Sequence, residues 1–263
     1  MYKDFEHKNE WALILGGSSG LGLATAKKLA SHGMNIIILY RNRRSELKQI
    51  ETEFEAVRSL GVRILSYNID IQKPEKREEV INDIKKSIHN GKIKTLVHSV
   101  AKGNLKPMIG ESQELKNDDF HLTIDAMAIS LYDWTKAIFT SKLFSDDTRV
   151  ISFTSEGNIK AWKNYAAVSA AKVALEAITR NIALEFAPYG IKANCLQPGA
   201  VDTASLRMIP GNEDIIENSI KRNPFNRLTT PEDVANIVYL LCKDEAAWVN
   251  GCIIPVNGGE HLN

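Results

Sequence analysis

Short runs of consecutive apolar residues alternate along this chain with longer stretches whose apolar positions recur at helical spacing. Trp11-Ala12-Leu13-Ile14-Leu15 is the first such run and Asn35-Ile36-Ile37-Ile38-Leu39-Tyr40 the second. A run that is apolar on both sets of alternating positions suits a strand buried on both faces. The pattern predicts strands at 11–15, 35–40, 62–69, 94–100, 149–153, 191–196 and 252–256. Between them it predicts helices over about 21–33, 45–60, 74–89 and 231–242, and two long ones over roughly 118–143 and 160–188. Pro74 and Pro231 suit a first helical turn, where a missing N–H costs nothing. Strands alternating with helices imply a parallel sheet covered on both sides. No linker, repeat or low-complexity segment interrupts the pattern, so one doubly wound α/β domain is predicted over 1–263, with about seven strands.

Composition narrows the function classes. An apolar content of 44% and a charged content of 25% are ordinary for a globular protein. A net charge of +1 gives no bulk attraction for nucleic acid, and no such partner is expected. Cys195, Cys242 and Cys252 are far apart and form no C-x-x-C, so they read as small buried residues in a reducing compartment. The six histidines show no ligand spacing, and no metal site is expected. The first ten residues are polar and lack the apolar core of a secretory signal. No apolar stretch is long enough to span a bilayer, so a cytoplasmic enzyme without a membrane partner is the expectation.

The first strand runs into Gly16-Gly17-Ser18-Ser19-Gly20-Leu21-Gly22, a G-x-x-x-G-x-G turn that opens a helix. Glycine lets backbone approach a pyrophosphate closely, and a helix N-terminus adds N–H donors and a positive dipole end. Ser18 and Ser19 add hydroxyl donors. Strand, turn and helix together predict a Rossmann-type nucleotide site. The second strand ends Tyr40-Arg41-Asn42-Arg43-Arg44, with no acid before Glu46. An acid there would favour the ribose hydroxyls of NAD, whereas arginines suit the 2′-phosphate of NADPH. The cofactor predicted is NADPH, with Arg41 the first choice for the phosphate contact. Asp70, at the end of the third strand, either accepts from the adenine amino group or caps the following turn.

Tyr165 and Lys172 carry candidate chemistry, with six residues between them. On one helix they lie two turns apart on one side, which places an ammonium near a phenol. The ammonium favours phenolate and offers donors to a cofactor sugar. A phenol so tuned donates a proton or holds an oxyanion during hydride transfer. Many helices carry such a pair as a partly buried Tyr and a solvated Lys; the nucleotide turn is what raises its meaning.

Five landmarks in order resemble the short-chain dehydrogenase/reductase superfamily across nearly the whole chain. They are the Gly16/Gly20/Gly22 turn, Asp70-Ile71, the Tyr165/Lys172 helix, Pro198-Gly199-Ala200-Val201-Asp202-Thr203, and Val256-Asn257-Gly258-Gly259. Most of that superfamily spaces Tyr and Lys with three residues between, a position held here by Val168. The wider spacing, His98-Ser99-Val100-Ala101, Lys172-Val173-Ala174-Leu175-Glu176-Ala177 and the stretch 200–214 resemble the enoyl-acyl-carrier-protein reductases, particularly their NADPH-using third type. Ser155 stands where the commonest of these carry a second Tyr, and it matches the superfamily's usual catalytic Ser. Leu15 replaces a frequent Thr, and Asp125 stands near a frequent structural Asn.

The resemblance implies catalytic roles for Tyr165, Lys172 and Ser155, with Ser155 either assisting or ordering its loop. It implies cofactor contacts from Gly16, Ser18, Ser19, Gly20, Leu21, Gly22, Arg41, Asn42, Asp70, Ile71, Ser99, Val100, Lys172, Pro198, Gly199, Val201 and Thr203. Thr203 either bonds the nicotinamide carboxamide or caps its own loop. The implied reaction is reduction of a trans-2-enoyl thioester, on acyl carrier protein, with hydride delivered to the β-carbon. A lid is expected at about 204–223, with Leu206, Met208, Ile209, Ile215 and Ile216 covering an acyl chain and Lys221 and Arg222 meeting the acidic carrier. The alternatives are a carbonyl reductase acting on a 3-oxoacyl thioester or other ketone, and a silent NADPH-binding protein. A homodimer or homotetramer is expected from the superfamily.

Overall fold

The computed structural model describes residues 3–110 and 113–263. Its strands are β1 (Glu10–Leu15), β2 (Asn35–Tyr40), β3 (Ile64–Asn68), β4 (Lys92–His98), β5 (Phe144–Phe153), β6 (Ile191–Pro198) and β7 (Ile253–Val256). The helices are α1 (Gly20–Ser31), α2 (Leu47–Arg58), α3 (Pro74–Ser87), α4 (Asn117–Ile124), α5 (Ser130–Thr140), α6 (Ala166–Glu185), α7 (Ala204–Arg207), α8 (Asn212–Arg222) and α9 (Pro231–Cys242). All seven strands pair in parallel, in the order β3-β2-β1-β4-β5-β6-β7.

Alternation along β1 explains why its run is apolar throughout. Trp11, Leu13 and Leu15 join Ile84 of α3, Trp134 of α5 and Leu175 of α6 on one face. Ala12 and Ile14 join Leu29 of α1, Phe54 of α2 and Val238 of α9 on the other. Truncating such a buried leucine to alanine typically costs about 2–5 kcal/mol, through lost transfer energy and the cavity left behind. The chain leaves β1 toward β2 and β3, then returns to lay β4 on β1's other edge. Connections therefore diverge at the carboxyl ends of β1 and β4 and leave a crevice there.

Several predicted boundaries differ. β3 is shorter than 62–69, and β4 ends before Ser99 and Val100, which lie in the loop beyond it. β5 begins at Phe144 rather than 149, pairing that residue with Ile93 ahead of a register shift. The long helix over 118–143 is broken by a π turn at Asp125–Ile129. Polar side chains hold both ends of that turn: Asp125 accepts from Gln72, and Ser130 bonds His98. The helix expected from 160 starts at Ala166, because Asn164 is left-handed (φ 63°) and Tyr165 sits outside helical geometry (φ −114°, ψ 1°). Cys195 and Cys242 are buried as expected, but Cys252 is exposed. Among the described residues, no helix is long and apolar enough to cross a membrane.

Candidate active site

A cavity of about 1270 Å³ opens at the carboxyl ends of the strands. Its β1 side is the glycine turn. Gly16 has φ +84°, and a Cβ on it would stand 2.3 Å from the Ser99 carbonyl oxygen. A Cβ on Gly22 would stand 2.2 Å from the Gly16 carbonyl oxygen. Both positions therefore exclude any side chain, and the turn lies flat against the cavity. Ser19 caps α1 in extended geometry without a side-chain hydrogen bond, and the first turn holds no acid. Its amides and dipole end are thus left for an anion, which is what a dinucleotide pyrophosphate would occupy. Ser18 Oγ donates to Asn42 Oδ1 at 2.8 Å, tying this turn to the end of β2.

Beyond β2, Arg41 and Arg43 line the cavity, and Arg44 does not. Arg41 pairs with Asp70 at 2.8 Å while its side chain stays largely exposed, so it is free to turn toward a phosphate. Arg43 N donates to Glu46 at 2.9 Å, so a carboxylate stands at this basic helix start. Asp70 also accepts from Gln72 N at 3.1 Å, which is the turn-capping alternative.

Across the crevice, Tyr165 is buried at the start of α6 with its hydroxyl 3.4 Å from Ser155 Oγ. Trp162 packs edge-on against its ring at 5.1 Å, and a Cβ on Gly157 would stand 2.5 Å from the ring, so only glycine fits beside it. Lys172 is buried and donates to the Phe153 carbonyl at 2.6 Å. Burial raises the Tyr165 phenol above its ordinary range, with Ser155 opposing. Burial lowers Lys172 to about 8, against opposing effects of Cys195 and Glu176. The expected downward tuning of the phenol by the ammonium is not found: burial, opposed only by Ser155, sets the shift, and Tyr165 is a protonated donor at neutral pH. His98, beneath them, is pushed down to about 3 by burial and then by Lys172, so it is a neutral partner of Ser130.

Of the residues expected at the cofactor and catalytic site, all but one line this cavity. Ser18, Ser19, Gly20, Leu21, Asn42, Ile71, Ser99, Val100, Pro198, Gly199, Val201 and Thr203 share it with Gly16, Arg41, Asp70, Ser155, Tyr165 and Lys172. Gly22 lies behind the turn, where its role is packing. Thr203 accepts from Leu206 N at 3.3 Å, the cap alternative of its two readings. In the lid segment, Ile209 is buried and Leu206 and Ile215 are partly buried, packed with Tyr165, Val168 and Met127. Met208 is instead 72% exposed. Arg222 is not a free surface cation: it forks onto Glu156 at 2.9 Å and reaches Glu260 at 2.8 Å. Lys221 is exposed and pairs with Glu217.

Trp162, Met127, Gln72 and Glu156 line the site without having been foreseen. They arrive from loops and from the π turn, whose register no periodicity encodes.

Comparison with known proteins agrees with this geometry. The model of the enoyl-(acyl carrier protein) reductase family matches residues 16–261. The chain belongs to this family. As a short-chain dehydrogenase/reductase it is an NAD(P)-dependent oxidoreductase. It is 26% identical over 251 residues to dehydrogenase/reductase SDR family member 4 of Oryctolagus cuniculus, covering 95% of this chain and 93% of that one. It is 29% identical over 255 residues to the peroxisomal 2,4-dienoyl-CoA reductase of Mus musculus, covering 95% and 83%. Its fold matches the enoyl-acyl carrier protein reductase of Bacillus cereus, solved with NADP+ and an indole naphthyridinone, at TM-score 0.88 and 24% identity over 100% and 99% of the two chains. Within the superfamily, then, its relatives include reductases of differing names.

Proposed function

We propose that this protein reduces a trans-2-enoyl thioester with NADPH. The observation that carries the reading is the Tyr165 hydroxyl, a buried donor beside Ser155 and walled by Met127, Val168 and Ile209, across the crevice from the glycine turn. The family model and the 2,4-dienoyl-CoA reductase relative support an acyl substrate. The arginines after β2, with no acid before Glu46, support NADPH over NADH.

When bound, the cofactor supplies a hydride to the β-carbon. The glycine turn and the amides of α1 hold its pyrophosphate, and Arg41 turns from Asp70 to the 2′-phosphate. Lys172 donates to the nicotinamide ribose hydroxyls. Tyr165 would donate to the thioester oxygen as negative charge gathers there, and solvent would supply the proton that the α-carbon takes as the enolate collapses. Leu206, Ile209 and Ile215 close over the acyl chain and exclude water. The acyl group arrives on a carrier protein, and the protein works as a homo-oligomer.

One observation favours a second reading. Ser155 Oγ, 3.4 Å from the Tyr165 hydroxyl, suits two-donor protonation of a ketone oxygen. NADPH oxidation followed with a trans-2-enoyl and a 3-oxoacyl thioester in parallel separates them. Enoyl-dependent turnover is expected, reduced about a hundred- to thousandfold in Tyr165→Phe. Turnover with the 3-oxo compound alone makes the protein a ketone reductase, and silence with both despite NADPH binding makes it a binder.

A further inference from the structure

Helix α6 is fastened at three points, three or four residues apart, to the end of β5 and the loop after it. Ser169 Oγ donates to the Gly157 carbonyl at 2.5 Å, and Lys172 Nζ to the Phe153 carbonyl at 2.6 Å. The third point is Glu176. Its carboxylate accepts from Thr154 Oγ1 and, at 2.6 Å, from Asn158 Nδ2. Thr154 and Asn158 bracket the segment that presents Ser155 to the Tyr165 hydroxyl and Gly157 to the Tyr165 ring.

Glu176 is only 7% exposed, on the buried face of α6 with Val168, Lys172, Leu175, Thr179 and Ile182. A buried carboxylate is costly and persists where it is hydrogen-bonded and faces a cation. The cation is Lys172, one turn back along the helix and equally buried. The other titratable groups around Lys172 are uncharged near neutrality. Burial pushes the Cys195 thiol of β6 up to about 11, holds His98 of β4 at about 3, and raises the Tyr165 phenol. Of the two groups that oppose the fall of Lys172, Cys195 and then Glu176, the thiol is neutral near pH 7, which leaves the carboxylate, four residues along the helix.

We propose that Glu176 is a positioning residue for the reaction, fixing the Ser155 loop to α6 and serving as the buried counter-charge of Lys172. The proposal rests on the roles read above for Tyr165, Ser155 and Lys172. Glu176→Gln keeps the shape and an acceptor oxygen but removes the charge; Thr154→Val keeps the charge but removes a loop tie. Two profiles are measured from pH 6 to 10 for each variant: kcat and KM on the accepted thioester, and NADPH affinity by nicotinamide fluorescence, which needs no acceptor.

In Glu176→Gln, the alkaline limb of both profiles is expected to move down by roughly one pH unit. In Thr154→Val, kcat is expected to fall roughly tenfold to a hundredfold, with KM and the limb in place. A Gln variant whose limbs coincide with those of the parent overturns the counter-charge role, and a Val variant with parental kcat overturns the loop role. Should no thioester turn over, the reductase reading fails by itself, and the NADPH-affinity limb still decides for or against Glu176. Should the Gln variant not fold, the Val variant decides through kcat.

Discussion

At the scale of single residues, burial rather than pairing sets the chemistry. Lys172 falls from 10.5 to about 8 because its ammonium leaves water. Between those two values the unfolded chain holds a proton that the folded one has released. This lysine's contribution to stability therefore rises with pH from about 8 to 10.5, while its ammonium is lost from the site over the same interval. Activity is expected to decline through about pH 8 while this group's contribution to stability grows, checked by comparing kcat with the urea midpoint at each pH. Tyr165 and Lys172 were legible in the sequence because both residue type and spacing carry chemistry. The direction of the phenol's shift was not, because it depends on how deeply Trp162, Gly157 and Val168 enclose the ring, and those contacts come from separate segments.

At the scale of elements, the segment proposed as a lid is tied at its far end. Arg222, the last residue of α8, grips Glu156 with two nitrogens and shares one of them with Glu260. Burial disfavours ionised Glu156, yet Arg222 and Lys160 hold its carboxyl below the ordinary range. A planar fork makes both contacts at once; an ammonium cannot. Arg222→Lys is expected to raise KM for the thioester roughly three- to tenfold, for a loss of about 1 kcal/mol in lid closure, with NADPH affinity unchanged. Faster proteolysis between α7 and α8 would accompany it. The stretch over 204–223 gave only the expectation of a lid, and the partner of Arg222 lies 66 residues away, beyond any local pattern. The break in the helix over 118–143 was likewise hidden, since one extra residue in a π turn leaves the apolar spacing nearly intact.

At the scale of the molecule, the sheet separates two charged ends. The carboxyl ends carry the site; on β4, β5 and β6, Lys94, Arg149 and Lys192 converge on Asp147. Arg149 is fully buried and also donates to the Leu241 and Lys243 carbonyls. Asp147→Asn leaves three cations facing one another. A loss of roughly 2 kcal/mol is expected, below that of a fully enclosed pair because the carboxylate is 35% exposed. Calorimetry should show Tm lower by about 4–8 °C with NADPH affinity unaltered. The parallel sheet was readable because inner strands such as β1 and β2 are apolar on both sides; this ionic knot was not, since its members are scattered through the sequence. The bare first turn of α1 has a further consequence. A fold whose pyrophosphate cradle lacks internal partners is completed by its own coenzyme, and occupancy adds RT ln(1 + [L]/Kd) to its free energy of unfolding. On the proposed reading, the nucleotide pool, oxidised and reduced together, sets this polypeptide's lifetime as well as its turnover.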